Sequence, residues 1–461
     1  MSNDNPFFRR FSTYERSRPG WRRWLGAAVS VLALAFLVYH IPFVHDRLAW
    51  RVDELRTNIA YFFNPPEEAV FLPSESAQAA ASATAAAALA PQPTRTQPAL
   101  QPTSLPTQEP LPASASLTGF TYVDQHGGWN LCGPATLAMA LTYWGWNGTR
   151  VDVEDYVKPG LQGANMDRVE RGRPDKNVMP YELEDFVDSQ VPGLQAVTRV
   201  GGDLYAIKRL ISKGFPVVVE KGYSELDASG KVSWLGHYLY VTGYDDAGEY
   251  FIVQDVYLRT GEDGTGANLH SSYDEFQDQW RAFNYLFFVI YPVERLNEVI
   301  AALGPWNDEQ WANENALAIA LEESTSLTGF EQYFAWFNVG SSHVRLFQYV
   351  DAAFAFDHAF QLYADLPDDD TLRPYRMLWY QTSPYWAYYY SGRYQDVINL
   401  ANNTLSTISE PTLEESLYWR GLALLAVGET DNAIADLRET VRLNKNFWAG
   451  WQQLRALGVN P

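Results

Sequence analysis

A single cysteine stands among the 461 residues of the chain, and the residues that follow it indicate where a helix begins. Pro134 comes two positions after Cys132, and proline fits the first turn of a helix, where its missing N–H is not needed. Apolar residues then recur at helical spacing as far as Trp144, and Gly145 is a natural stop. The pattern predicts a helix over 132–144 with the cysteine at its N-terminus.

A thiol in this position is predisposed to act as a nucleophile. The unpaired N–H groups and the positive end of the helix dipole both favour the thiolate. Gln125 is close enough upstream to offer its side-chain NH₂ as one donor of an oxyanion hole, with the backbone N–H of Cys132 as the other. Most free cysteines are small buried hydrophobes. The catalytic interpretation is favoured because Gln125, Cys132 and an apolar helix form one ordered run.

The N-terminal region predicts a membrane anchor. Residues 1–23 hold six arginines, and residues 24–44 carry no formally charged side chain. About 20 helical residues suffice to span a bilayer, and the arginines predict that the N-terminus stays in the cytoplasm. The alternative is a cleaved signal peptide, but no small-residue cleavage pattern follows. We therefore expect a single-pass plasma-membrane protein that contacts the lipid bilayer through residues 24–44, with the rest of the chain outside the cytoplasm.

Two segments connect this span to the folded part of the chain. Residues 45–66 predict a short juxtamembrane amphipathic helix, which two prolines end. Residues 67–117 are mostly Ala, Pro, Thr, Gln and Ser, so we expect a disordered tether that cannot bury a core. The net charge of the whole chain is −21, and this acidic balance argues against nucleic acid as a partner.

A hairpin carries two more candidate residues. The runs 236–244 and 250–255 are rich in aromatic and β-branched residues and flank a turn-forming stretch. If the turn centres near Ala247, position 257 lies opposite His237, and Asp255 is the diagonal neighbour of His237 on the same face. Further helices are predicted over 181–187 and 203–213, and further strands over 215–220 and 285–291.

The two hairpin residues complete a possible catalytic set. Taken alone, His237 is an ordinary strand histidine and Asp255 an ordinary turn former at a strand end. With Cys132 they supply a nucleophile, a base and a group that orients the base, in the chain order that papain-like enzymes use.

Residues 118–293 resemble the bacteriocin-processing, double-glycine cysteine peptidases, which form family thirty-nine of the papain-like clan. The resemblance implies an α+β papain-like cysteine peptidase fold with Cys132 as nucleophile, His237 as base, Asp255 as orienter and Gln125 as oxyanion donor. Where the family usually has proline after the aspartate, this chain has Val256. The matching stretches are Gln125, Asn130–Ala135, Gly236–Tyr238, Val241–Tyr244 and Asp255, with Asp175–Pro180, Gly201–Leu204 and Gly214–Val217 between them.

Residues 294–461 predict an all-α solenoid similar to tetratricopeptide (TPR) repeats. Positions 316, 352, 397 and 433 are equivalent small or branched residues in four predicted helix pairs, near the ~34-residue period of this repeat. A non-repeating helical bundle is the alternative. Stacked helix pairs form a concave surface, so a protein partner is expected there.

The sequence thus predicts a membrane-anchored extracytoplasmic cysteine peptidase that hydrolyses peptide or protein substrates through Cys132, His237 and Asp255. No cofactor and no metal are expected, because the sequence has neither a nucleotide-binding fingerprint nor metal-spaced ligands. Two alternatives stay open: a non-catalytic peptide-binding protein on the same fold, and another thiol acyl transfer such as transglutamination or peptidoglycan amide hydrolysis.

Overall fold

The computed structural model describes residues 21–63, 70–74, 109–128, 130–160, 178–226, 232–367, 373–374, 376–408 and 412–460. The chain forms two compact units, Met1–Arg56 and Thr57–Pro461. Most of the arginine-rich tail predicted over 1–23 lies outside the described residues.

The N-terminal helices differ from the predicted anchor. Helix α1 runs from Trp21 to Tyr39, and helix α2 runs from Pro42 to Phe63. The continuous span predicted over 24–44 is wrong, because the chain leaves the helix after Tyr39. The uncharged part of α1, residues 24–39, is about 24 Å long at ~1.5 Å per residue, which is shorter than the ~30 Å hydrocarbon core.

None of the helices in the described part of the chain is long and apolar enough to cross a membrane. The helix predicted over 45–66 corresponds to α2. The plasma-membrane location predicted from the sequence stays a prediction.

Two parts of the tether predicted over 67–117 are ordered. Phe71 is buried among aromatic residues of the C-terminal region, and Ser114–Ser116 form strand β1, which pairs with residues 243–245. The prediction failed there because Phe71, the one aromatic residue of this segment, has a hydrophobic cluster to enter. Residues 75–108 lie outside the described residues.

The second unit is organised around one antiparallel sheet. Besides β1 its strands are β2 (Leu194–Arg199), β3 (Val217–Leu226), β4 (Val232–Asp245), β5 (Tyr250–Gln254), β6 (Leu269–Ser272) and β7 (Phe287–Pro292). The strand order is β2-β7-β3-β4-β5-β6, and β1 pairs with β4. The strands predicted over 215–220, 236–244, 250–255 and 285–291 are present with shifted ends, whereas β1, β2 and β6 were not predicted.

Five helices accompany the sheet, and they divide its two faces between separate cores. Val218 and Tyr240 face the helix that begins at Cys132, and Val217 and Leu239 face the opposite core. The alternation follows from the two-residue period of a strand. The helices are α3 (Cys132–Tyr143), α4 (Arg150–Val157), α5 (Pro180–Gln190), α6 (Leu204–Ser212) and α7 (Tyr273–Arg281).

The C-terminal region is helical, as predicted. Ala316, Ala352, Val397 and Ala433, the four equivalent positions, are all fully buried. One cluster joins these helices to sheet-side residues such as Trp234, so the domain boundary at 293/294 stays a prediction. The helices are α8 (Leu296–Leu303), α9 (Glu309–Ser326), α10 (Gly329–Arg345), α11 (Tyr349–Asp365), α12 (Met377–Tyr380), α13 (Ser383–Tyr390), α14 (Tyr394–Ser406), α15 (Glu414–Ala426), α16 (Thr430–Leu443) and α17 (Trp448–Ala456).

Candidate active site

Cys132 occupies the first position of α3, as the sequence predicts. Asn130 has a φ of 51°, a left-handed conformation that asparagine adopts more readily than most residues, and it precedes the turn into the helix. No side chain of the described residues caps this helix at Leu131. The first N–H groups of α3 are therefore left to act on the thiol.

The pKa of the Cys132 thiol is set by opposing influences. Burial, the largest single influence, raises this pKa. A hydrogen bond with His237, the charge of His237 and the backbone of Tyr238 and Gly133 lower it, and together they outweigh the burial. The net result is a pKa below that of an ordinary thiol, although the side chain is only partly exposed. The environment of Cys132 therefore favours the nucleophilic thiolate.

His237 and Asp255 are brought together by the hairpin of β4 and β5. The distance from Nε2 of His237 to Oδ1 of Asp255 is 3.1 Å, and both side chains are buried. Since Nε2 is engaged with the carboxylate, Nδ1 is the nitrogen left to face the thiol. The imidazole thus lies between Cys132 and Asp255.

A β-bulge at Thr242 sets the register of this hairpin. Near the turn, Asp245 pairs with Tyr250, whereas beyond the bulge Tyr240 pairs with Gln254. Extending the second register puts position 257 opposite His237, as predicted, and places Asp255 on the same face as His237. Hydrogen bonds hold the bulge in place. The carbonyl of Thr242 accepts from Leu117 N–H at 2.8 Å. The hydroxyl of Thr242 accepts from Nε2 of Gln254 at 2.9 Å and donates to the carbonyl of Ile252 at 3.5 Å.

The charges of the pair support each other. Burial lowers the pKa of the His237 imidazole, but the Asp255 carboxylate raises it, and the net pKa is about 9. Burial likewise raises the pKa of Asp255, but His237 holds this pKa well below its usual range. At neutral pH the pair is therefore imidazolium and carboxylate.

Backbone and side-chain groups that the sequence does not single out hold Asp255 in place. Its Oδ1 accepts hydrogen bonds from the N–H groups of Tyr257 at 2.9 Å and Leu258 at 3.0 Å. Nζ of Lys221 lies 3.9 Å from Oδ2. A lysine next to Glu220 at the end of a hydrophobic run is a weak sequence signal, and only the pairing of β3 with β4 places Lys221 opposite His237.

Gln125 lies beside this group of residues. Its backbone N–H donates to the carbonyl of Val256 at 2.9 Å, so the segment before Cys132 is fixed next to the residue after Asp255. The side-chain Oε1 of Gln125 is buried and has no hydrogen-bond partner among the described residues. The structure brings Gln125 to the same end of the sheet as Cys132, His237 and Asp255.

Tyr380, from the C-terminal helical region, also reaches this site. A Cβ added to Gly236, the residue before His237, would lie 2.9 Å from a ring carbon of Tyr380. The charge of Cys132 acts on the Tyr380 hydroxyl, whose pKa is raised mainly by burial. The sequence gives no signal for this contact, because Tyr380 lies more than a hundred residues after His237 in a short helix, α12.

Glu220 is a second residue that the sequence analysis missed. It lies on β3 in register with Tyr238, and it is 2% exposed. Burial raises the pKa of this carboxyl well above its usual range, and the nearby charge of Cys132 raises it further. Both influences favour the protonated, uncharged form of Glu220.

This arrangement suits the transfer of an acyl group through a thioester. It holds a thiol with a lowered pKa, an imidazole that carries a proton, and a carboxylate that orients the imidazole. In the described part of the chain, no group of three or more His, Cys, Asp or Glu residues is arranged to hold a metal ion.

Comparison with protein families gives a match over the same part of the chain. Residues 117–287 match the Peptidase_C39 like family. The match covers Cys132, His237 and Asp255 and supports a cysteine peptidase. The predicted α+β class of this region, followed by a helical region, is confirmed. Among curated proteins, no match was found.

Two solved structures are similar to the chain. One is described as a C39-like peptidase from Bacillus anthracis, with 16% sequence identity over 39% of this chain and 97% of that chain and a TM-score of 0.29. The other is Xylellain, a cysteine protease from Xylella fastidiosa, with 14% identity over 49% of this chain and 92% of that chain and a TM-score of 0.28.

Proposed function

We propose that the chain hydrolyses peptide bonds with Cys132 as the nucleophile. His237 is the acid and base, Asp255 orients the imidazole, and Gln125 donates to the oxyanion. The observation that carries the proposal is the imidazole of His237, which is hydrogen-bonded to the thiol at a helix N-terminus and to a buried carboxylate.

The reaction would proceed in two halves. The Cys132 thiolate attacks the carbonyl carbon of the scissile amide, and the negative charge moves to the carbonyl oxygen. The Gln125 amide and the backbone N–H of Cys132 stabilise that oxyanion. The His237 imidazolium then gives its proton to the departing amine, which leaves a thioester. In the second half, neutral His237 removes a proton from water, the hydroxide attacks the thioester, and the thiolate is released with the acid product.

We further propose that the helical region consists of TPR-like repeats and binds a protein partner. Gly340 and Gly421 support this, because each is a small residue against which the following helix packs. A Cβ on Gly340 would lie 2.6 Å from the ring of Phe356, and a Cβ on Gly421 would lie 3.1 Å from Leu437. Both contacts join positions with the same separation in sequence, as repeated helix pairs require.

The rate of alkylation of Cys132 tests the proposed nucleophile. We expect iodoacetamide to modify the folded chain faster than the unfolded chain below about pH 7, because the pKa of the Cys132 thiol is lower than the ~8.5 of a free thiol. Intact-protein mass spectrometry measures the rate, and the thiol adduct is on Cys132 because the chain has no other cysteine. The same chain in denaturant is the matched control. Equal pH profiles for the folded and unfolded chain would exclude the proposal.

The pH dependence of peptide hydrolysis follows from His237. Its pKa is raised to about 9, so the imidazolium that protonates the leaving amine is present below that pH and lost above it. We expect kcat to fall as the pH rises through about 9. Alkylation should stay fast there, because the thiolate needs no proton donor to react.

Gln125→Ala separates the oxyanion donor from the nucleophile. We expect hydrolysis of a quenched fluorescent peptide to fall by ~100-fold or more, the usual effect of losing one such donor. Alkylation of Cys132 should hardly change, because iodoacetamide forms no oxyanion. Gln452→Ala, the same substitution at an exposed glutamine of α17, serves as the control. Unchanged hydrolysis in Gln125→Ala would remove Gln125 from the proposed mechanism.

A further inference from the structure

Residues 70–74 lie as an extended peptide on the C-terminal helices. Phe71 and Pro73 are buried, whereas Val70, Leu72 and Ser74 are exposed. Alternate burial is the pattern of a strand-like peptide that inserts every second side chain into a surface. No regular secondary structure is assigned to these five residues. Their position therefore depends on contacts with the helices.

Phe71 is the main apolar contact of the segment. Its ring centroid lies 5.1 Å from that of Phe360 on α11, in an edge-to-face arrangement, and 6.2 Å from that of Tyr388 on α13. Phe71 is only 6% exposed and belongs to the largest cluster of the helical region. The burial of a phenylalanine side chain from water is favourable and helps to anchor a short segment.

A polar contact fixes the direction and register of the segment. The backbone N–H of Ser74 donates to Oδ1 of Asp396 at 3.1 Å. Asp396 is held from its other oxygen by Nε of Arg393 at 2.8 Å, and Arg393 also pairs with Asp357. Tyr388, which contacts Phe71, donates to Asp357 at 2.9 Å. The apolar and polar contacts with the segment thus belong to one connected site.

The site includes a pocket between the helices. Its lining includes Tyr333, Phe360, Tyr363, Met377 and Thr404, together with Phe71 itself. The aromatic and apolar lining suits an aromatic side chain of a bound peptide. The buried carboxylate of Asp396 suits a backbone N–H farther along the same peptide. The pattern matches a peptide with an aromatic residue and, two positions later, a proline.

We propose that this site on the helices is a peptide-binding groove for extended aromatic-X-Pro segments, and that residues 70–74 of the same chain are its resident ligand. The buried residues Phe71 and Pro73 determine which peptides fit the groove. Asp396 accepts a hydrogen bond from the backbone N–H three residues after the aromatic residue. The proposal concerns the helical region and does not depend on the proposed peptidase activity.

The test is a competition between the chain's own segment and a peptide of the same sequence. The full-length chain with Phe71→Ala and Pro73→Ala exposes the groove, and a fluorescein-labelled peptide with the sequence of residues 67–77 is the probe. Fluorescence anisotropy should show binding to this variant at least ~10-fold tighter than to the wild-type chain, where the tethered segment competes at high effective concentration. A probe with alanine in place of its phenylalanine should not bind.

Leu72→Ala is the matched control, because Leu72 is exposed between the two buried residues. It should behave as the wild-type chain. Circular dichroism establishes that each variant is folded, and Pro73→Ala alone replaces the double variant if the latter unfolds. Asp396→Asn, added to the Phe71→Ala, Pro73→Ala variant, should weaken the binding of the probe. Two results would overturn the proposal. One is the absence of saturable probe binding to a folded Phe71→Ala, Pro73→Ala variant. The other is equal probe affinity for that variant, for Leu72→Ala and for the wild-type chain.

Discussion

Cys132→Ala is expected to reduce peptide hydrolysis by about 10⁴-fold or more, since no other thiol of the chain can form the thioester. His237→Ala should cause a loss of similar size, because a nucleophile and its base act as a unit. The two losses should not add in the double variant. Initial rates of cleavage of a library of internally quenched peptides measure all three chains.

The variants differ in how the thiol reacts. In His237→Ala the pKa of Cys132 should rise, because the hydrogen bond and charge that lower it are gone. Asp255→Asn should have a smaller effect on the rates of hydrolysis and alkylation, because it lowers the pKa of the His237 imidazole but leaves the imidazole in place. His270→Ala, at an exposed histidine of β6, is the control and should leave hydrolysis unchanged. Full activity in Cys132→Ala would contradict the thiol mechanism.

Ala352→Glu is expected to unfold the helical region. Ala352 on α11 is 0% exposed and packs in the cluster that holds Phe337 and Phe356. A carboxylate there has no room and no partner, which costs roughly 4 kcal/mol or more of unfolding free energy. Thermal unfolding followed by circular dichroism at 222 nm measures the loss.

Val350→Glu tests the same charge change on the same helix. Val350 is 66% exposed, so the new carboxylate stays in water, and the free energy of unfolding should change by less than about 0.5 kcal/mol. If Ala352→Glu and Val350→Glu melted at the same temperature, the buried packing of α11 that underlies the proposed repeats would be wrong.

Local signals in the sequence were strong enough to position the helix that carries Cys132. The proline in its first turn and the apolar spacing predicted a helix over 132–144, and the helix observed runs from Cys132 to Tyr143. The helix predicted over 203–213 is α6, and Asp203 caps it by accepting from Ala206 N–H at 2.6 Å. These features depend on residues near each other in the chain, and a single sequence contains that information.

Contacts between distant parts of the chain could not be predicted in this way. Tyr380 reaches Gly236 only because the helical region packs against the sheet, and no residue near Tyr380 indicates this. The composition of the segment around Phe71 predicts disorder, but the one aromatic side chain packs against Phe360 and orders the residues beside it. The end of helix α1 at Tyr39 could not be predicted, because hydropathy alone does not locate the end of a helix.

The extra residue at Thr242 has a consequence for how chains of this kind can change in length. Thr242 has no partner on β5, so its removal would leave Val241 opposite Val253 and Gly243 opposite Ile252. Removal of one residue between His237 and Val241 would instead turn His237 to the face of the sheet opposite Asp255. A deletion there would have to be matched by a deletion in the other strand. Insertions and deletions in related chains should therefore fall in the turn at 246–249, where they leave the pairing of the two strands intact, and should be rare between His237 and Val241 or between Val253 and Asp255.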